Sequence, residues 1–417
     1  MKSNSLIYVD MFYPNKTEGE TFLASEIEHS LLPDVDKYIF PVWGDMTHDK
    51  AAIAGFKIIK ASRKYSKLTK LLYAAKAMFN KQTWNEIFYL KQTNRFTVNN
   101  VFTAISFIAD CNYFAKILST YILDNIQEKS KIVLYSYWLH WTAYTVLLVV
   151  RKLFDKYDFI TVSRAHRFDV YEYAATGGYI PCRNILMSQL DYVCPISKDA
   201  FNYIQRYSQG AKIKLFRLGT FSNGLNISTK SKCLKILTCS WMRKVKRLEL
   251  ICEALKTIQV DIEWTHIGSG EEEGKIKTLA ASIDNSHVKI NFLGAMNNHE
   301  VMNYYLTESV NVFLNVSSSE GVPVSVMEAM SFGKIVIATN VGGTHEVIDN
   351  EVTGYLLNKD FEIQELTQKL TLIASMNERD YIAMSQNARK KWEAICNAED
   401  NYCRFNFFLR GLFTHEA

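Results

Sequence analysis

Continuous apolar runs alternate with amphipathic runs along almost the whole chain, and this restricts the available folds more than any other feature. SLIYVDMFY reads as a strand and TFLASEIEHSLL as a helix. KIVLYSYW, TAYTVLLVVRKLF and FITVSRAH repeat the pattern, and LKILTCSW, RLELICEALKTI, IEWTHIGSG, EEEGKIKTLAASI and VKINFLG continue it. HEVMNYYLTE, VNVFLNV, VSVMEAMSFG and KIVIATN complete the series. Strands without polar alternation need cover on both faces, and strand–helix–strand order supplies it in a parallel α/β sheet. The 417 residues suit two such domains. The aperiodic stretch LGTFSNGLNISTKSK, 218–232, reads as the junction. The expected plan is a domain over 1–215, a second over 216–395, and a last helix, 396–417, packing back on the first. Ligands of such sheets bind beyond the carboxyl ends of the strands, here in a cleft between the domains.

Apolar residues make up 48% and charged residues 22%, a globular balance that excludes a disordered chain. Eight cysteines without a CxxC pair read as buried thiols of a reducing compartment. The opening MKSNSLIYVDMFYP is too short in its apolar run for a signal peptide. The longest apolar stretch, near Trp141–Val150, is shorter than a membrane span. A cytoplasmic location is expected, with contact at the inner membrane face as an option. The net charge of +5 is unevenly spread: from Lys57 to Lys91 basic residues recur and Glu86 is the only acid. The segment 50–130 is helical in flavour, with Leu68, Leu71, Leu72, Ala75, Met78 and Phe79 at helical spacing. It reads either as a solvated helical insertion or as a basic amphipathic face lying on anionic lipid.

Chemistry concentrates in NVFLNVSSSEGVPVSVMEAMSFGKIVIATNVGG, 311–343. Glu320 and Glu328 are separated by seven small or apolar residues. Pro323 suits a first helical turn and Gly333 a helix stop. Glu320 then lies on a strand-to-helix loop and Glu328 within the helix. The amides of the Gly321–Val322–Pro323 turn form an anion site, and carboxylates accept hydrogen bonds from vicinal hydroxyls. Phosphate beside hydroxyls describes a sugar nucleotide.

These residues resemble the family 4 retaining glycosyltransferases of GT-B fold, in which two Rossmann-like βαβ domains face a central cleft. SSSEGVPVSVMEAMSFGKIVIATNVGGTHEVIDNEVTGYLL is similar to that family's donor block almost throughout, and VSRAHRFDVYE, GYIPCRN and DYVCPISK are similar to its bacterial exopolysaccharide, O-antigen and capsule branch. The resemblance implies that Glu320 contacts donor-sugar hydroxyls, Glu328 holds the ribose, Lys246 binds the diphosphate and His166 faces the sugar. Ser240 stands where the family places a second cation, an arginine, and Arg243 or Arg247 is the expected substitute. FYPNKTEGETF resembles the acceptor-side loop, which assigns Gly19, Glu20 and Thr21 to the acceptor side together with Asp169. Tyr137, in the aromatic cluster Tyr135–Trp141, reads mainly as core and as a candidate wall of the acceptor groove.

The implied reaction is hexosyl transfer, with retention and without metal, from a UDP- or GDP-linked sugar to a growing glycan. The acceptor would be a polyprenyl-diphosphate-linked oligosaccharide. No cofactor and no nucleic-acid partner is expected. Asp34-Val35-Asp36 spells a metal-binding DVD but follows Pro33 and reads as a solvated turn. Gly268 in GSG reads as a tight turn near the diphosphate. Two other classes stay open: a sugar-nucleotide 2-epimerase of the same fold, and a non-catalytic sugar-nucleotide binder.

Overall fold

The computed structural model describes residues 4–14, 21–30, 32–43, 52–60, 66–227, 229 and 231–414. The chain divides into two compact units, Met1–Phe216 with Tyr402–Ala417, and Arg217–Asn401.

The first unit is built on an eight-stranded sheet, in the order β3-β4-β2-β1-β5-β6-β7-β8. Its strands are β1 (Ser5–Asp10), β2 (Asp36–Pro41), β3 (Ala52–Ile53), β4 (Phe56–Ile58), β5 (Lys131–Ser136), β6 (Asp158–Ala165), β7 (Tyr192–Pro195) and β8 (Lys212–Ile213). All pair in parallel except β3 with β4. The helices are α1 (Thr21–Glu28), α2 (Lys67–Met78), α3 (Lys81–Gln92), α4 (Val98–Asn125), α5 (Trp141–Leu153), α6 (Arg183–Gln189) and α7 (Lys198–Gln205). Every residue of β1 is buried, as a strand covered on both faces requires. The DVD sequence forms the turn entering β2, and Asp36 pairs with Lys57 at 3.6 Å. The segment 50–130 is not helical throughout, because β3 and β4 precede its helices. α4, by length and composition, could cross a membrane, which the sequence reading around Trp141–Val150 had overlooked. Its Phe107, Ile108, Cys111, Phe114, Leu118 and Ile122 are buried in two of the unit's cores, so it serves as a core helix.

The second unit carries a six-stranded, wholly parallel sheet in the order β11-β10-β9-β12-β13-β14. Its elements run β9 (Leu234–Cys239), α8 (Leu248–Thr257), β10 (Ile262–Ile267), α9 (Glu273–Ala281), β11 (Val288–Gly294), α10 (Asn298–Thr307) and β12 (Val312–Asn315). α11 (Val324–Ser331), β13 (Ile335–Thr339), α12 (Thr344–Val347), β14 (Gly354–Leu357), α13 (Ile363–Ser375) and α14 (Glu378–Ile395) follow. Counted from β9, this is the 3-2-1-4-5-6 order of a dinucleotide-binding sheet. The strand order reverses between β9 and β12, and crossovers leave in opposite directions there, opening a crevice beyond their carboxyl ends.

The expected linker 218–232 is not a free tether. Thr220 N–H donates to Cys396 O (2.9 Å) and Ala398 N–H to Thr220 O (3.1 Å). The Asn226 side chain donates to Tyr305 O at 2.7 Å, so the segment belongs to the second unit. α15 (Ala398–Thr414) ends the described chain, and from Tyr402 onward it belongs to the first unit. Phe405, Phe408, Leu409 and Leu412 join a core with Leu6, Tyr8, Ile39 and Tyr135. Beneath them Arg164 is fully buried and paired with Glu26 at 2.7 Å. It also donates to Tyr135 Oη (3.0 Å) and Phe216 O (2.9 Å), and its guanidinium lies 4.0 Å from the Phe405 ring. A buried cation needs such pairing.

Candidate active site

The turn after β12 is built almost wholly from backbone and small polar groups. Asn315, the last residue of β12, accepts from Ser317 N–H at 3.1 Å. Ser318 N–H donates to Val245 O at 2.8 Å and ties the turn to the loop after β9. Gly343 N–H donates to Gly321 O at 2.6 Å from a third loop. Gly342 has φ +54, and a Cβ there would lie 2.1 Å from Glu320 O. Only glycine lets the two loops touch.

This clamped turn presents Glu320. Its Oε1 lies 2.7 Å from Lys246 Nζ and 3.3 Å from Asn315 Nδ2. Lys246 comes from a short 3-10 turn, Lys244–Lys246, between β9 and α8. A cation and a carboxylate from two different strand ends therefore meet at the switch point of the sheet. Both side chains are partly exposed, 24% for Lys246 and 14% for Glu320. A small cavity lined by Ser240, Lys246, Asn315, Ser317 and Ser325 lies at the same place.

Pro323 is the N-cap of α11, and no side chain caps that end of the helix. The amide end thus faces the Glu320 turn as a source of positive potential. Gly333, at φ +73, closes the helix. Glu328 lies one helical turn and a half into α11 and accepts from Asn298 Nδ2 at 2.7 Å. Burial pushes its carboxyl up to about 7, and the Asn298 hydrogen bond offsets only part of that. A carboxyl tuned to neutrality in a crevice suits a polar ligand that supplies the missing donors.

Ser240 and Gly268 shape the neighbouring floor. Ser240 N–H donates to Ile267 O at 3.0 Å, and Gly268, at φ +135, would place a Cβ 1.9 Å from Ser240 O. Arg247 is one of the two expected substitutes for the second diphosphate cation. Its Nε donates to Val316 O at 2.7 Å, and its guanidinium faces Phe361 at 5.6 Å. These contacts tie it to the end of β12. Arg243 is the exposed cation near Ser240, with its guanidinium 5.9 Å from the Trp241 ring.

In the first unit, His166 follows β6, between the rings of Tyr137 (4.7 Å) and Trp138 (4.4 Å). Asp169 accepts from His166 N–H (2.8 Å) and Leu139 N–H (2.9 Å) and lies 3.7 Å from His166 Nδ1. Burial pushes the Asp169 carboxyl up; His166 and these amides overcome it and hold it below its usual value. Among the described residues neither His166 ring nitrogen has a hydrogen-bond partner. Asp169 is a positioning residue for the 166–169 turn, not an exposed acceptor contact, since it is fully buried. Tyr137 is likewise core, at 1% exposure, with one ring face against His166. Gly19 and Glu20 lie outside the described residues, and Thr21 opens α1.

Sequence reasoning missed Asn298, Asn315 and Gly342. Gly342 stood within the quoted donor block but carried no assigned role; Asn298 acquires its role only through tertiary contact, and Asn315 through the folded turn that brings Ser317 and Glu320 to it.

The parallel sheets and the 3-2-1-4-5-6 order, with the clamped strand-end site, define a GT-B glycosyltransferase architecture. Residues 226–391 match the family of glycosyl transferases group 1, and the kinship with family 4 expected from the sequence is borne out. The chain is 34% identical over 124 residues, 30% of its length, to an uncharacterized glycosyltransferase of Haemophilus influenzae, covering 33% of that protein. It is 27% identical over 230 residues, 52% of its length, to the amylovoran biosynthesis glycosyltransferase AmsK of Erwinia amylovora, covering 55% of it. The alignments thus span between a third and rather more than half of these relatives. Among solved structures, sucrose-phosphate synthase of Thermosynechococcus elongatus superposes with TM-score 0.68 at 14% identity, over 99% of this chain and 100% of that one. That likeness bears on the fold alone.

Proposed function

We propose that this protein is a retaining glycosyltransferase that moves a hexose from a nucleoside-diphosphate sugar to a growing surface glycan carried on a polyprenyl diphosphate. The observation that carries the reading is the meeting of Lys246 and Glu320, 2.7 Å apart, at the β9/β12 switch point, with Glu328 farther along α11. A ligand with phosphate next to a sugar hydroxyl engages both members of that pair. Glu328 accepts from the ribose hydroxyls, replacing the hydration it lacks. Kinship with polysaccharide-assembly enzymes supports the acceptor class.

In this reading the bond between the anomeric carbon and the diphosphate oxygen breaks while the acceptor oxygen attacks from the same face. The acceptor proton passes to the departing phosphate oxygen. Charge growing on the diphosphate is met by Lys246 and the amide end of α11, groups already in place before reaction. We read the transfer as metal-independent on the strength of those two positive elements. His166, whose Nε2 has no hydrogen-bond partner among the described residues, is in this reading the first unit's sugar-facing group.

The test is a thermal-shift panel of UDP- and GDP-linked sugars, followed by donor turnover with the stabilising compound. Selective stabilisation and slow release of nucleoside diphosphate, with the new linkage keeping the donor's anomeric configuration, is the expected result. Interconversion at C2 of the sugar would mark an epimerase, and stabilisation without turnover would mark a binder.

A further inference from the structure

We propose that α2 and α3 of the first unit form a docking face for an anionic phospholipid bilayer. α2 packs inward through small residues: Ala77 is its one buried side chain, and Tyr73 and Ala74 are half-buried against the core. Its large apolar side chains point the other way. Leu68 and Leu71 are each 69% exposed and Phe79 is 90% exposed, with Leu72 and Met78 beside them. At 100° per residue these five fall on one stripe, and Lys67 and Lys76 border it on opposite sides. A helix of a water-surrounded protein carries the reverse pattern; an apolar stripe edged by lysines is that of a helix lying in a bilayer interface.

The face continues onto α3. Trp84 and Phe88 are exposed there and share the outward side with Lys81 and Lys91. Trp84 Nε1 donates to Met78 O at 2.9 Å, which satisfies the indole N–H and leaves the ring's apolar body outward at the corner of the two helices. Charge selects the occupant. From Lys57 to Ala109 the sequence holds a single carboxylate, Glu86. It is turned inward, accepting from Tyr179 Oη (2.6 Å) and Cys182 N–H (2.9 Å). The outward face is therefore purely cationic. Next to α2, Lys76, Lys116, Arg151 and Lys152 line a cavity of about 460 Å³ with no carboxylate in its wall, a seat for headgroup phosphate. A second copy of the chain would bring these lysines against their own counterparts across a two-fold contact, whereas an anionic bilayer neutralises them.

The inference rests on this surface and extends the proposed function by bringing the enzyme to a lipid-linked acceptor. Its test needs no turnover, so the two readings fail separately. The full chain is sedimented with phosphatidylcholine vesicles, with and without phosphatidylglycerol. Binding to the anionic vesicles should exceed binding to neutral ones at least about ten-fold and fall steeply with salt. The variant L71S/L72S/F79S and the variant K67E/K76E should each lose about ten-fold of that partition. Their melting temperature and their response to the nucleotide sugar should stay unchanged, since every altered side chain is exposed. Equal binding to neutral vesicles, no binding to anionic ones, or partition that survives both variants would overturn the proposal. So would competition by millimolar inorganic phosphate, which would mark a free-anion site, or a concentration-dependent dimer abolished by the serine variant.

Discussion

Lys246 Nζ lies 2.7 Å from Glu320 Oε1, although the two residues reach that point from different strand ends. The pair makes a graded prediction for Glu320→Gln. The amide keeps the shape and the hydrogen-bonding oxygen but removes the charge that, in the proposed function, faces the reacting carbon. Turnover should fall by about 10²–10³, while donor affinity measured by calorimetry stays within a few-fold. Wild-type turnover in this variant would remove Glu320 from the chemistry.

Glu328 gives a pH dependence with two opposite signs. Its folded-state pKa, about 7, stands above the ordinary 4.5, so between those values the folded form binds more protons than the unfolded one. Stability contributed by this group is present below about pH 4.5 and is lost as pH rises through 7. Glu328→Gln should therefore raise the melting temperature more at pH 8 than at pH 5. Ligand binding runs the other way, because ribose hydroxyls need the carboxylate as acceptor. Nucleotide-sugar affinity should rise with pH through 7 and level off, and Glu328→Gln should flatten that rise relative to wild type. Identical pH profiles for the two proteins would contradict the ribose role.

Gly342→Ala tests the clamp. The added Cβ meets Glu320 O at 2.1 Å, and the backbone has φ +54. The loop carrying Glu320 must retreat, at a cost of about 1–3 kcal/mol by urea denaturation, with donor affinity falling in parallel. Gly274→Ala, inside α9 where a Cβ meets nothing within 4 Å, is the control: donor affinity should stay unchanged and stability should hold or rise slightly.

Arg164→Met strands Glu26 in the first unit's core. Loss of one member of a buried ion pair costs about 3–5 kcal/mol. Phe405→Ala removes the ring over the guanidinium and should cost about 3–5 kcal/mol of its own. The two residues share one contact, so their effects should not add. Full additivity by chemical denaturation would show that α15 does not anchor through this cation.

Much of the architecture was legible in the sequence because both sheets bury both faces of their strands. VKINFLG became β11 over those same residues, and the Glu320 loop and Glu328 helix fall where the spacing of Pro323 and Gly333 puts them. The site was less legible where a role depends on what a side chain meets after folding. Nothing local to Arg247 tells that its guanidinium donates to Val316 O. Asn298 reaches Glu328 only because α10 packs beside α11, and its own neighbourhood reads simply as a helix start. The stretch 218–232 looked like a linker because it lacks periodicity, yet its backbone hydrogen bonds to Cys396 and Ala398 hold it without any apolar pattern.

The most direct measurement is calorimetric titration of the nucleotide sugar that stabilises the protein into the wild type and into Lys246→Met. The methionine keeps the side chain's length and removes its charge. Loss of a charge-assisted hydrogen bond to the diphosphate should weaken binding by about 10–100-fold, with the melting temperature of the free protein little changed. Equal affinities, or a wild-type chain that binds no nucleotide sugar, would contradict the assignment of the β9/β12 crevice as the donor site.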